Sequence, residues 1–353
     1  MITKHHDLDW EIPWNLNTIQ KKYRNNLLEL LTKQQELLVE VKECYCGSKK
    51  LEKLAEKERF GIPINSFICR DCGLIFCSPR LSEEFIPRFY KEFYYPLTFG
   101  CKDTEVPMDL VSSQQGYNIF KFSQFEISRI VKNGKMLNIG EIGCASGNNL
   151  FQIATILKKM GYSCTLSGCD YAEYYTKYTK NGLKIDYYFG GPEALIQSNK
   201  NFDFLILSHV LEHIIDLKKF KRYISRLLAN NSLLYIEVPG ILELKNKYVY
   251  DCDLLKYLTL AHIYNFSLTT LRNVMTPEFM LIKGNEYSQA LFKISQDGKN
   301  AKLNDCSRII SYLEDLEINH RKYLSLNPNN KIINRIKKRI RQLGSIFFRE
   351  KFQ

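Results

Sequence analysis

Apolar positions along the chain follow two rhythms. Between residues 15 and 43, Leu27, Leu28, Leu30, Leu31, Leu37 and Leu38 recur among charged residues at helical spacing. This predicts a helical lead-in over residues 1–43 that ends where a group of cysteines begins. From Lys135 to about Ser295, apolar runs alternate with amphipathic stretches, the pattern of a parallel sheet with helical crossovers. Strands are expected at 135–141, 164–169, 185–189, 203–208, 232–238, 280–286 and 288–295, the last two pairing antiparallel. The run Phe202-Asp203-Phe204-Leu205-Ile206-Leu207 is nearly unbroken, as befits a strand covered on both faces. The fold class is therefore α/β, a doubly wound, seven-stranded, Rossmann-like sheet over residues 135–295. Residues 44–95 read as a cysteine module with a charged, helix-favouring insert, 96–134 as a helical cover or linker, and 296–353 as a helical tail.

The formal charge of +12 matters through its location. Between Lys331 and Lys351 there are eight basic residues and one acid, so the rest of the chain is only mildly basic. Eleven cysteines are spread along a chain whose N-terminus lacks the basic-then-apolar order of an export signal, which favours free thiols and metal ligation. With no apolar run of about 18 residues, the chain is expected in the cytoplasm.

The first strand, Met136 to Gly140, runs into Glu141-Ile142-Gly143-Cys144-Ala145-Ser146-Gly147 and then into a helical stretch from Asn149. Glycines let backbone approach a ligand closely, and the helix N-terminus offers amide donors to a carboxylate. A dinucleotide pyrophosphate uses such loops too, but the spacing here is Glu-x-Gly-x-x-x-Gly rather than Gly-x-Gly-x-x-Gly. The second strand ends in Asp170, 23 residues past Gly147, where a carboxylate can accept from both hydroxyls of a ribose.

From Met136 to about Ile294 these segments resemble class I S-adenosylmethionine (SAM)-dependent methyltransferases. The resemblance implies that Glu141 orients the loop, and that Gly143, Cys144, Ala145 and Gly147 meet the methionine moiety. It further implies that Asp170 holds the ribose, Tyr171 lies against the adenosine, Gly190 sits at the adenine end with Phe189 and Gly191, and His209 packs by the cofactor.

Cys44-Tyr45-Cys46-Gly47 and Cys69-Arg70-Asp71-Cys72-Gly73 supply four thiolates, the number that a tetrahedral structural Zn2+ requires. With the aromatic stretch Phe85, Phe89, Tyr90, Phe93, Tyr94 and Tyr95, this segment resembles the zinc-binding N-terminal module of bacterial sugar methyltransferases from surface-polysaccharide and antibiotic-sugar pathways. That family has two residues inside its first cysteine pair. Here there is one, which leaves Glu43 at the expected ligand position and Cys77 as a substitute ligand. Only 58 residues follow Ser295, where the antibiotic-sugar C-methyltransferases carry another large domain, so weight moves from carbon to oxygen as the acceptor atom.

A hydroxyl acceptor must lose its proton as it attacks, and histidine is the natural base near neutral pH. His213 and His262 are the expected bases, with Glu212 as an orienter. An amino acceptor is disfavoured because Ser208-His209-Val210-Leu211 stands where N-methyltransferases of DNA and glutamine carry Asn/Asp-Pro-Pro-aromatic. In the tail, Ile332, Ile336, Ile340, Leu343 and Phe347 recur among lysines and arginines, the pattern of a helix on an anionic membrane surface or of one docked on the core. The expected acceptor is a sugar, nucleotide-sugar or lipid-linked glycan, met in the cytoplasm or at the inner membrane face. RNA methylation is the competing reading. It requires a basic stripe on the cysteine module, but Glu52, Glu56, Glu58, Asp71, Glu83, Glu84 and Glu92 offset its cations.

Overall fold

The computed structural model describes residues 12, 14–101, 114–131, 136–171, 184–287, 289–295 and 302–326. The basic segment 331–352, and with it the membrane-surface helix, lies outside these residues. Among the described residues no helix is long and apolar enough to cross a membrane.

Seven strands form the central sheet. In spatial order they are Phe279–Gly284, Gln289–Ile294, Leu228–Glu237, Phe202–Ser208, Leu137–Ile142, Cys164–Asp170 and Ile185–Phe189. Only Gln289–Ile294 runs against its neighbours. Each strand falls within a few residues of its expected place. Alternation decides which layer a side chain joins: Phe204 and Ile206 pack with Ile119, Phe120, Ile153 and Leu157 from the helices Gln115–Ile130 and Asn148–Lys159. Leu205 and Leu207 face the opposite layer, with Leu195, Phe220 and Ile224 from the helices Pro192–Gln197 and Leu217–Leu227.

The strand Leu137–Ile142 pairs with Cys164–Asp170 on one side and with Phe202–Ser208 on the other. Strand order reverses there, and the crevice beyond the carboxyl ends of these strands is where open α/β sheets bind ligands.

Two expectations give way. The lead-in helix is shorter than 15–43: it spans Thr18–Lys33, begins at an Asn17 capping box closed by Gln20, and ends at Gln34, which leaves helical geometry. Residues Leu38–Val39 then pair with Arg80–Leu81. The insert between the cysteine pairs is not helical either. Leu51–Ala55 and Asn65–Cys69 are antiparallel strands, joined by Ile75–Ser78 and by Tyr264–Asn265 into a four-stranded sheet. Packing of Leu54, Ala55, Ile68 and Ile75 against Leu255, Ile309 and Leu313 outweighs the helix propensity of Leu-Glu-Lys-Leu-Ala-Glu-Lys-Glu. Ile309 and Leu313 belong to the tail helix Cys306–Leu326, whose start is tied down where Asp305 accepts from Ser267 Oγ at 2.5 Å and from Arg308 Nε at 2.6 Å.

Candidate active site

The loop after Ile142 turns back on itself through three left-handed residues, Gly143 (φ 72°), Ala145 (φ 43°) and Gly147 (φ 72°). Gly143 N and Cys144 N both donate to Cys169 O, at 2.8 and 3.1 Å, so the loop folds over the tip of the neighbouring strand. Asp170 Oδ2 then accepts from Ala145 N at 2.8 Å. A Cβ on Gly143 would stand 2.6 Å from Val210 Cγ2, and one on Gly147 would stand 2.1 Å from Ile185 Cδ1. The loop is thus seated between the second, third and fourth parallel strands in chain order, with no room for a side chain at Gly143 or Gly147.

Glu141 lies under this loop, 1% exposed. Its Oε1 accepts from Asn149 Nδ2 at 2.7 Å, while Oε2 is buried without a hydrogen-bond partner. Burial pushes its carboxyl up to about 8, with the Asn149 bond opposing and the charge of Asp170 assisting. An orphaned carboxyl oxygen under a glycine turn fits a ligand carrying an amine or another cation. At the far end, Gly190 N donates to Asp170 O at 2.9 Å, and the exposed rings of Tyr171 and Phe189 stand edge to face at 6.5 Å. Tyr171 Oη donates to Glu193 Oε1 at 3.3 Å. These residues fit SAM: carboxylate Asp170 for a ribose, aromatic faces for an adenine, and Glu141 with the glycine loop for the methionine end.

Val210 links this cradle to a second group of side chains. The strand Phe202–Ser208 ends in His209, left-handed at φ 58°, whose N–H is held by Glu237 O at 2.8 Å. A 3-10 turn, Leu211–His213, follows. Glu212 is 1% exposed and neither carboxylate oxygen has a hydrogen-bond partner. Around Oε1 stand His209 Nδ1 at 3.5 Å and His213 Nε2 at 3.8 Å. The His262 ring stands 5.0 Å from that of His213, and these two histidines and Glu212 gather within 4.8 Å of one another. His213 Nδ1 lies 2.8 Å from Ala261 O and 2.9 Å from Tyr90 Oη.

His262, one of the two expected bases, and His209, expected beside the cofactor, differ in surroundings. Burial holds His262 well below the usual histidine range, with His213, Arg59 and His209 adding repulsion. Partial desolvation disfavours the His209 cation too, but the nearby carboxylates of Glu212 and Glu237 outweigh it and raise His209 above its ordinary value. The structure therefore brings His209 into the acceptor-side group, while its neighbour Val210 is the residue that lies against Gly143 of the loop. Sequence reasoning gave no role to Asn149 or Glu237, and quoted Tyr90 only as part of the aromatic stretch. Glu237 alone carried a signal, as the acid at the carboxyl tip of a sheet strand.

In the cysteine module, Cys44 Sγ and Cys72 Sγ are 3.6 Å apart, as are Cys46 Sγ and Cys69 Sγ, and all four gather within 4.8 Å. A tetrahedral zinc with bonds of about 2.3 Å requires sulfur separations of about 3.8 Å, so the thiols fit Zn2+. Glu43 is exposed and stands outside the cluster, and the Cys77 thiol turns instead to His262 O at 3.4 Å. Cys44, Cys69 and Cys72 belong to the same apolar cluster as Leu205, Leu234 and Phe266, which anchors the module on the catalytic sheet.

Residues 118–276 match the family model described as a methyltransferase domain. The chain thus carries a methyltransferase domain of class I architecture. Among curated proteins, the ubiquinone biosynthesis O-methyltransferase of Pelagibacter ubique (strain HTCC1062) is 30% identical over 120 residues, 34% of this chain. The match spans about half of that relative, 48% of its length. Among solved structures, the plantazolicin methyltransferase BpumL, in complex with a desmethylPZN analog and SAH, aligns with 59% of this chain and 78% of its own, at 14% identity and a TM-score of 0.38. The DszA carbon methyltransferase aligns with 62% of this chain and 66% of its own, at 15% identity and a TM-score of 0.41.

Proposed function

We propose that this chain is a SAM-dependent methyltransferase that methylates an oxygen of a sugar or glycan intermediate. The observation that carries the reading is the pairing of two buried, under-partnered carboxylates across Val210: Glu141 beneath the glycine loop and Glu212 among three histidines. When bound, SAM supplies a methyl group made electrophilic by its sulfonium. The turn formed by Gly143, Cys144, Ala145 and Gly147 meets the methionine moiety, Asp170 accepts from the ribose, and Tyr171 with Phe189 flanks the base near Gly190. The histidine group removes the proton of the incoming hydroxyl, with Glu212 orienting it. Zn2+ on Cys44, Cys46, Cys69 and Cys72 serves structure, because the module packs on the sheet through those same cysteines.

Support for an oxygen acceptor comes from the ubiquinone biosynthesis O-methyltransferase relative. That relative also favours a second reading in which the acceptor is an aromatic hydroxyl, and Tyr90 and Tyr94, edge-on to His213, would flank such a ring.

Calorimetry with SAM and with S-adenosylhomocysteine tests the cofactor assignment. Binding is expected in wild type and about tenfold or more weaker in Asp170→Asn, where charge-assisted bonds to the ribose are lost. Methyl transfer from labelled SAM to a panel of nucleotide sugars, hydroxylated aromatics and RNA then separates the acceptor classes. Turnover on RNA alone, with a steep salt dependence, would reject the sugar reading.

A further inference from the structure

We propose that His209 is the proton acceptor of the transfer step: its Nε2 takes the acceptor's hydroxyl proton while Glu212 holds Nδ1 and Glu237 faces Nε2. The proposal rests on the methyltransferase reading above and deepens it. A proton acceptor needs a free lone pair, surroundings that stabilise the cation it becomes, and a path for the proton to leave.

His213 lacks the first and the third. Its Nδ1 is committed to Ala261 O and Tyr90 Oη, its Nε2 points at a carboxylate inside the protein, and its side chain is 16% exposed. His262 lacks the second: burial disfavours its cation, and His213, Arg59 and His209 oppose it, which outweighs the Glu212 carboxylate within 4.8 Å. His209 meets all three. Its side chain is 52% exposed, Glu212 Oε1 stands 3.5 Å from Nδ1, and Glu237 Oε1 stands 4.0 Å from Nε2.

The carboxylates are themselves placed. Glu212 sits in the turn that follows His209, and neither of its buried oxygens has a hydrogen-bond partner, which leaves Oε1 facing His209 Nδ1. Glu237 accepts from Tyr235 Oη at 2.7 Å and from Gln115 Nε2, which turns its Oε2 away and leaves Oε1 for His209. The left-handed backbone of His209 is an uncommon conformation for a non-glycine residue, and it stands at the strand tip next to Val210, the residue that lies against Gly143 of the loop. Lys247 and His262 are the opposing charges that face it.

In the step, the acceptor oxygen forms a bond to the methyl carbon as the carbon–sulfur bond breaks. The bonding pair stays on sulfur, giving the neutral thioether, and the hydroxyl proton passes to His209 Nε2 and then to solvent. Glu212 keeps the neutral imidazole protonated at Nδ1, so that Nε2 carries the lone pair.

The test is nitrogen NMR of the full chain labelled at its six histidines, saturated with S-adenosylhomocysteine, with the His209 signal identified by its loss in His209→Gln. Neutral His209 is expected as the Nδ1–H tautomer, titrating above the free-histidine value. Glu237→Gln should lower that midpoint by about half a unit to one unit, and Glu212→Gln should lower it and mix the tautomers. A midpoint at or below the free-histidine value, or one unmoved by both variants, would overturn the proposal while leaving the methyltransferase reading intact. Failure of wild type to bind S-adenosylhomocysteine would sink both. With an acceptor from the panel, His209→Gln should cost on the order of 100-fold in kcat with cofactor affinity retained, and a loss under threefold would count against the assignment.

Discussion

Gly116 opens the helix Gln115–Ile130 at the point where it crosses Asn148–Lys159, the helix that carries Asn149 beneath the cofactor loop. Gly→Ala in a helix ordinarily stabilises by up to about 1 kcal/mol. Here an added Cβ would stand 2.5 Å from Asn149 O, 2.8 Å from Asn149 Cα and 2.9 Å from Gln152 Cβ. The first two are backbone atoms and cannot rotate away, so the helices must part by roughly half an ångström to an ångström at a typical overpacking cost of about 1–3 kcal/mol. We expect Gly116→Ala to destabilise the chain by about 1 kcal/mol net in urea denaturation. Because Asn149 Nδ2 bonds Glu141 Oε1 at 2.7 Å, affinity for S-adenosylhomocysteine should also fall about fivefold. Gly161→Ala is the control. Nothing lies within 4 Å of its Cβ, but its φ is +82°, so it should cost about 1 kcal/mol of stability through backbone strain alone and leave affinity unchanged. A Gly116→Ala chain more stable than wild type with undiminished affinity would refute the close helix crossing as the support of the loop.

Further outcomes follow from buried groups. Burial raises the Glu58 carboxyl from an ordinary 4.5 to about 7, against bonds from Ile62 N and Phe60 N. The folded state therefore binds its proton more tightly than the unfolded state, and stability is lost as pH rises from about 4.5 through about 7, by about 3 kcal/mol in all. Urea denaturation at pH 5 and pH 8 should show this drop in wild type and lack it in Glu58→Gln; an equal drop in both would reject the assignment. The purified chain should contain one zinc per molecule by mass spectrometry. Cys72→Ser should lose it and melt on the order of 10 °C lower, whereas a metal-free wild type with an unchanged melting point would show that the thiols hold no structural ion.

What could be read from the sequence was whatever a short window decides. The central strands are runs such as Leu205-Ile206-Leu207 that only a two-sided burial explains, and the loop declares itself through glycines whose spacing fits backbone curvature. Residues 51–58 misled because their charges and leucines favour a helix locally, while their true partners, Ile68, Leu255 and Ile309, come from distant parts of the chain. The same reason hid the acceptor-side geometry. His209, Glu212 and His213 are neighbours in sequence, but Glu237 reaches them only through the parallel pairing of Ser208 with Glu237, and Tyr90 only through the seating of the cysteine module. Which histidine keeps a lone pair is a property of those distant partners.

The strand Tyr264–Asn265 completes the small sheet by pairing with Ile75–Phe76. A ribosome delivers those two segments far apart in time, with five of the seven catalytic strands emerging between them. The N-terminal module thus cannot reach its final form before most of the catalytic sheet has been synthesised, and a fragment ending before residue 264 would expose an unpaired edge at Ile75–Ser78. The two parts are obliged to mature together.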